Sequence, residues 1–195
     1  MSKPNRSKLD QMSPEEQVVH FRSLIMLRLA KMVEWPEEKF AGESTPVRIG
    51  VLGERSTENV AAFERNIRGL ESKSSGSYEI QGRDVEVMAF SSDVLRSEAA
   101  GLRNLLDSHL VLVLDDSAGS DLSKLEVFKN SHVMTVGETV NFASKGGMVS
   151  LFYGRDGKPD IYVNHEFIKH EHIAVSAEFL RHAEKIVTGG WRDEE

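Results

Sequence analysis

Two adjacent carboxylates, Asp115 and Asp116, directly follow the apolar run His109–Leu114, which is typical of a parallel strand buried on both faces. Ligand sites of α/β proteins lie at the carboxyl ends of such strands. The two aspartates could therefore hold Mg²⁺ or act as acid and base. Because no third acidic partner is identifiable nearby, the sequence favours a solvated turn that caps the next helix.

Two glycines, Gly50 and Gly53, end the strand-like run VRIGVLG, but no third glycine completes a GxGxxG fingerprint. No GxxxxGK(S/T) phosphate loop occurs either. The pair therefore indicates turn geometry rather than a phosphate cradle. A small-ligand crevice at the strand ends stays open as an alternative, and its predicted residues are Gly53, Arg55, Asp115 and Asp116.

Four histidines, His165, His170, His172 and His182, gather in the last third of the chain. In HEFIKH the histidines lie five residues apart, whereas a zinc-binding HExxH helix needs them four apart on one face. A polar surface is favoured over a metal site. The chain has no cysteine and no GxSxG elbow, so the sequence predicts a binding or regulatory protein rather than an enzyme, without a metal or cofactor.

Aromatic residues concentrate around a predicted β-hairpin, formed by Met148–Tyr153 and Ile161–Asn164 on either side of a Gly- and Asp-containing turn. Large apolar residues occupy both faces of the first hairpin strand, although a hairpin at a sheet edge ordinarily has one hydrated face. Packing by a helix is the favoured explanation, and a protein–protein contact with aromatic anchors is the alternative. The aromatic residues are Phe142, Phe152, Tyr153, Tyr162 and Phe167.

The composition is that of a globular α/β protein with a net charge of −7, which argues against nucleic-acid binding. No stretch has the roughly 18 consecutive apolar residues of a membrane span, so no insertion into a membrane is expected. Residues 1–12 contain no apolar signal-peptide core and are predicted to be a disordered leader. Residues 13–190 are predicted to form a single domain.

Alternating strand and helix patterns predict an α/β fold: a Rossmann-like, mainly parallel sheet with helices on both faces and a C-terminal antiparallel hairpin. Ser13-Pro14-Glu15-Glu16 predicts a capped helix start. That helix is expected to run to about Glu34, and the last helix is expected over Ala177–Val187. The predicted buried face of the first helix comprises Val18, Phe21, Leu24, Ile25, Leu29, Met32 and Val33.

Several of these segments together resemble the YfiR-like (DUF4154) family. LAKMVEWP at Leu29–Pro36 is similar to the family's EWP signature, and VRIGVLG at Val47–Gly53 matches its next motif. The C-terminal motif is the ordered string Thr135-Val136-Gly137-Glu138, Phe142, Gly146-Gly147-Met148 and Ile161–Asn164. The resemblance spans about Val18 to Val187, which is nearly the whole chain.

The resemblance implies a periplasmic regulator that is made with a removable signal peptide and tends to form a homodimer. It implies binding to the sensor domain of a membrane diguanylate cyclase, whose repression limits cyclic di-GMP and biofilm, or to that of a membrane histidine kinase. The family's cysteine pairs are missing here, which excludes thiol-based control. We predict that the partner contacts the hairpin and the following helix, at Phe142, Phe152, Arg155, Tyr162, His165 and Phe167.

Overall fold

A computed structural model of the protein describes residues 11–74, 76–96, 100–114, 122–154 and 157–188. The helices are α1 (Pro14–Ala30), α2 (Ser56–Ser74), α3 (Ala100–Leu106), α4 (His165–His170) and α5 (Ala177–Arg181). The strands are β1 (Val33–Glu34), β2 (Val47–Leu52), β3 (Glu79–Ile80), β4 (Arg83–Phe90), β5 (Leu110–Val113), β6 (Met134–Gly137), β7 (Val149–Tyr153), β8 (Pro159–Val163), β9 (Ala174–Val175) and β10 (Lys185–Ile186). Short 3₁₀ turns occupy Glu37–Lys39, Ser92–Arg96, Leu122–Phe128 and Ala143–Lys145.

Eight strands form the main sheet, in the order β10-β8-β7-β6-β5-β2-β4-β3. Neighbouring strands are parallel except for the hairpin pair β7–β8 and the short edge pair β3–β4. The strands β1 and β9 form a separate two-stranded antiparallel sheet. The predicted α/β fold with a mainly parallel sheet and a C-terminal hairpin is therefore confirmed.

The two faces of the sheet build two separate cores, because successive strand residues point to opposite sides. On one side, Ile49 and Leu112 pack with α1, α2 and α5, whose buried residues include Phe63 and Phe179. On the other side, strand residues pack with α3, the 3₁₀ turn Leu122–Phe128 and the loop after β6. The strand β5 contributes buried residues to both cores, as its continuous apolar sequence predicts.

The predicted start of α1 is confirmed, its predicted end is wrong, and its predicted buried face is correct only in part, since Leu29 and Val33 are buried. Ser13 and Glu16 form the reciprocal capping box, with Ser13 N–H donating to Glu16 Oε2 at 2.7 Å. The helix ends at Ala30 because Val33 and Glu34 turn to extended backbone and pair with β9 ahead of Pro36. The predicted Phe21 is exposed, and the buried residues are Val19, Arg22, Ser23, Met26, Leu27, Leu29 and Ala30.

The predicted last helix, Ala177–Val187, is also too long. The Ser176 cap is present, with its Oγ accepting from Phe179 N–H at 3.1 Å, but α5 ends at Arg181. Lys185 and Ile186 form β10 instead and extend the sheet by pairing parallel to β8. Tertiary pairing with an available sheet edge has overridden a short helical pattern. Among the described residues, no helix is both long and apolar enough to cross a bilayer.

Candidate functional site

The hairpin of β7 and β8 presents one face to the α1 side of the protein and the other away from it. In the antiparallel register, Leu151 lies opposite Ile161 and Phe152 lies opposite Asp160. Leu151 and Ile161 are buried in the core beneath α1. Because side chains alternate along a strand, Phe152 and Tyr162 point to the opposite side of the sheet.

Phe152 and Tyr162 pack edge to face across the hairpin, with ring centroids 4.9 Å apart and an interplanar angle of 85°. Lys185 of β10 extends its Nζ over the Tyr162 ring, 5.6 Å from the centroid. Both rings are partly exposed, and within the described part of the chain neither belongs to either core. We call Phe152, Asp160, Tyr162 and Lys185 the hairpin face.

An exposed valine lies beside the hairpin face. Val140, in the loop after β6, has 46% of its surface exposed. Its carbonyl oxygen accepts a hydrogen bond from Ser150 Oγ at 3.3 Å, and Ser150 is on the same side of β7 as Phe152. The loop that contains Val140 therefore borders the aromatic pair. The sequence pattern does not point to Val140, and Lys185 falls within the predicted last helix rather than on a strand.

Phe142, a predicted partner contact, is buried, with only 1% of its surface exposed. Its ring lies between Gly137 and Gly147, so close to both that a Cβ on either glycine would overlap the ring. The residue therefore fixes the loop after β6 from inside and has no surface to offer a partner. The motif that predicted it, TVGE…F…GGM, is explained by this packing.

The other predicted contact residues lie apart from the aromatic pair. His165 and Phe167 are in α4, which follows the end of β8 remote from the hairpin turn, and Phe167 packs against the core on the α1 side. Burial lowers the pKa of His165, and the nearby Lys169 lowers it further. Arg155 lies outside the described residues. Of the predicted contact residues that the structure describes, the hairpin face thus brings together only Phe152 and Tyr162.

Of the predicted small-ligand residues, Arg55 lines a crevice of about 430 Å³ at the carboxyl ends of β2, β5 and β6. The chain leaves β2 toward β4 and later returns to β5 on the other side of β2, so this is the topological switch point of the sheet. Gly53 adopts φ 144°, a region that favours glycine, directly after β2. Arg55 lines the crevice and binds Glu58 through two hydrogen bonds of 3.0 and 3.1 Å. Asp115 and Asp116 lie outside the described residues.

A largely buried ion pair lines this crevice. Arg22 of α1 is 9% exposed, and its guanidinium contacts the Glu138 carboxylate directly after β6. It also donates to Asn59 Oδ1 at 3.2 Å. Arg22 is not among the predicted site residues, although a charged residue in the middle of an apolar helix face is a signal that could identify it. Glu138 follows a strand end, which is the same signal that drew attention to Asp115.

The crevice combines both charge signs with apolar walls. Its lining includes Glu15, Glu138, Arg22 and Arg55, together with Val18, Val19 and Leu114. Tyr153 lies close by, with its hydroxyl 3.4 Å from the Val18 carbonyl oxygen, and burial raises its pKa. Such a lining can bind a small molecule that carries both an anionic and a cationic group. Within the described residues, no three His, Asp or Glu side chains are grouped to hold a metal ion.

Comparisons with known proteins identify the fold and the family. The chain is similar to the crystal structure of a conserved domain protein from Vibrio cholerae O1 biovar El Tor, with a TM-score of 0.53 and 14% identity over 90% of this chain and 61% of that chain. It is also similar to the ABC domain in complex with L-Trp from Streptococcus pneumonia, with a TM-score of 0.51 and 12% identity over 83% of this chain and 60% of that chain.

At these identities the two structures show the fold alone, and the chain spans about three fifths of the length of each. No curated protein matches the sequence. The family model described as DUF4154, YfiR/HmsC-like, matches residues 20–184, and the chain therefore belongs to this family.

Proposed function

We propose that this protein is a periplasmic, non-enzymatic regulator that binds the sensor domain of a membrane diguanylate cyclase and holds it inactive. Membership of the YfiR/HmsC-like family, a regulatory family, supports this proposal. Repression of the cyclase would limit cyclic di-GMP and biofilm formation. The sensor domain of a membrane histidine kinase is the alternative partner. A homodimer belongs to the same proposal and is measurable by sedimentation.

The observation that carries the proposal is the hairpin face. Aromatic side chains dominate the energetics of protein interfaces, particularly where polar groups surround them. Phe152 and Tyr162 form such an anchor, with Asp160 and Lys185 at its border and the exposed Val140 beside it. A rigid hairpin in an eight-stranded sheet presents these rings with little loss of conformational entropy on binding.

Repression follows if the hairpin face binds the inactive sensor conformation more tightly than the active one. A partner shifts a two-state equilibrium only by its difference in affinity for the two states. A hundredfold difference corresponds to about 2.7 kcal/mol, which converts an evenly populated sensor to about 99% inactive when saturated. Loss of aromatic contacts with the inactive state would therefore release the enzyme.

Replacing both Phe152 and Tyr162 by alanine is expected to weaken binding to the purified sensor domain by at least about thirtyfold. A single interface aromatic hot spot typically contributes about 2 kcal/mol or more, which corresponds to about thirtyfold in affinity, and the two contributions need not add. Isothermal titration calorimetry with each variant measures the affinity, and the thermal unfolding midpoint reports whether the domain remains folded.

The matched control is Phe21→Ala, because Phe21 is a phenylalanine on α1 with 39% of its surface exposed. We expect this variant to bind the sensor domain with unchanged affinity. If Phe21→Ala weakens binding as much as the double variant, or if the double variant binds normally, the hairpin face is not the contact surface.

A second candidate function is the binding of a small ligand in the switch-point crevice. It rests on the buried Arg22–Glu138 pair and on the mixed charges around a volume of about 430 Å³. A ligand with both charge signs could exchange contacts with Arg55 and Glu15 at the mouth. Such a ligand could also act as the signal that controls the regulator.

Thermal-shift screening with amino acids and nucleotides tests this second function. A compound at one hundred times its Kd is expected to stabilise the protein by about 2.7 kcal/mol, which raises the unfolding midpoint by several degrees. The Arg55→Gln variant should retain its fold, because the side chain is 53% exposed, but should lose most of the shift. A shift that is equal in the wild type and in Arg55→Gln would place the ligand elsewhere.

A further inference from the structure

A histidine that belongs to neither proposed site is completely buried at the amino end of β5. His109 has 0% of its surface exposed and lies between the rings of Trp35 and Phe40, with centroid distances of 5.5 and 4.5 Å. Its Nδ1 accepts the Arg48 backbone N–H at 3.1 Å. The neutral ring therefore carries its proton on Nε2, which has no hydrogen-bond partner among the described residues.

The charged groups that act on this imidazole are all cations. They come from three different elements: Lys39 from the 3₁₀ turn, Arg48 from β2 and Arg83 from β4. Acidic groups act on two of these cations. Glu86 pairs with Arg48 at 2.9 Å, and Asp107 and Glu171 act on Lys39. A positive charge on His109 would thus be buried and repelled by all three cations.

His109 also holds a neighbouring segment, residues 33–40, which we call the amino-end strap. The Trp35 Nε1–H donates to the His109 carbonyl oxygen at 2.8 Å. Lys39 Nζ donates to the carbonyl oxygens of Leu106 and Ser131 at 2.6 and 2.7 Å. Val33, at the other end of the strap, pairs with Val175. The strap therefore joins the end of α1 to the main sheet and to the C-terminal region.

We propose that His109 makes this attachment acid-labile, so that protonation of the buried imidazole releases the amino-end strap from the sheet. This acid response takes place at the amino ends of the parallel strands, opposite the switch-point crevice at their carboxyl ends. It is independent of both proposed functions, because it requires neither the hairpin face nor a ligand. It would give the protein a conformational response to acid that depends on a single buried ring.

The direction of the pH effect follows from the two states of the ring. Burial, together with the three cations, lowers the pKa of His109 from 6.5 to about 3 while the strap is attached. Between about pH 3 and pH 6.5 the imidazole is protonated when the strap is released but neutral when the strap is attached. Attachment of the strap to the sheet therefore weakens as the pH falls below 6.5 and does not change with pH above that value. At pH 5.0 the ratio of attached to released strap should be lower than at pH 7.5 by up to about thirtyfold.

Hydrogen exchange of the Trp35 indole N–H, measured by NMR and corrected for the intrinsic rate, reports strap release in the full chain. We use Trp191→Phe as the background so that Trp35 is the sole indole. Protection should fall by about ten- to thirtyfold between pH 7.5 and 5.0. It should change by less than about threefold in His109→Gln. The control His182→Gln removes a histidine on the surface near Glu178 and should behave as the wild type.

Three results would overturn the proposal. The first is an unchanged pH dependence in His109→Gln. The second is an equal loss of protection at the Val111 amide in the middle of β5, which would indicate global unfolding rather than release of the strap. The third can be measured in the wild type, even if His109→Gln does not fold. It is a His109 Cε1–H resonance that titrates near pH 6.5 while the Trp35 indole N–H stays protected, because the ring would then be protonated without release of the strap.

Discussion

Replacing Gly147 by alanine is expected to destabilise the domain by about 3 kcal/mol or more. A Cβ at this position would overlap the Phe142 ring, which cannot retreat because Gly137 closes the slot on its other side. Phe142 is 1% exposed and anchors the core under α3, so the added methyl group must displace a packed element. The midpoint of urea unfolding, followed by circular dichroism, measures this loss.

The control is Gly69→Ala in α2, where nothing lies within 4 Å of the added Cβ. Alanine is the better helix former by about 1 kcal/mol, so this variant should be slightly more stable than the wild type. Combining Gly147→Ala with Phe142→Leu should recover part of the loss, because a smaller side chain frees the slot. Equal midpoints for Gly147→Ala and Gly69→Ala would contradict the packing described here.

Replacing Arg22 by methionine is expected to cost about 3 kcal/mol, at the lower end of the range for one partner of a buried ion pair. The substitution leaves the Glu138 carboxylate beside an apolar side chain and removes the donor to Asn59 Oδ1. Glu138 is 20% exposed and can recover some hydration, which limits the loss. Urea unfolding of the variant at pH 7 measures the change.

The matched control lies on the same helix. Arg28 pairs with Glu178 at 3.4 Å, but both side chains are more than half exposed, at 64% and 54%. Arg28→Met should therefore change the free energy of unfolding by no more than about 0.5 kcal/mol. Adding Glu138→Gln to Arg22→Met should recover part of the stability by removing the carboxylate that has lost its contact with Arg22. Equal effects of Arg22→Met and Arg28→Met would show that burial of the pair has no energetic consequence.

Elements that carry a strong local signal were predictable from the sequence. The buried strand β5 follows from the continuous apolar run after His109, and the hairpin follows from two β-rich runs around a glycine turn. The ends of α1 and α5 were not predictable in this way. Residues 33–34 and 185–186 become strands only because β9 and β8 offer edges with which to pair. That information is tertiary and is absent from the local pattern.

The candidate sites were predictable in part, for the same reason. The rule that ligands bind at the carboxyl ends of strands pointed to Arg55, which lines the crevice. It did not find Arg22, which reaches the crevice from a helix. Counting aromatic residues around the hairpin selected Phe152 and Tyr162, whose rings pack together on the hairpin face. The same count also placed Phe142 on the surface, because only the packing shows that two glycines make room for its ring.

The most direct test of the central proposal is site-specific photocrosslinking in the native organism. A photoreactive phenylalanine analogue replaces Phe152 in one strain and Arg68, an exposed residue of α2, in another. We predict that the analogue at position 152 crosslinks to a membrane protein whose periplasmic domain precedes a diguanylate cyclase or kinase domain, identified by mass spectrometry, and that position 68 does not. The absence of such a product from position 152, or its equal formation from position 68, would contradict the account.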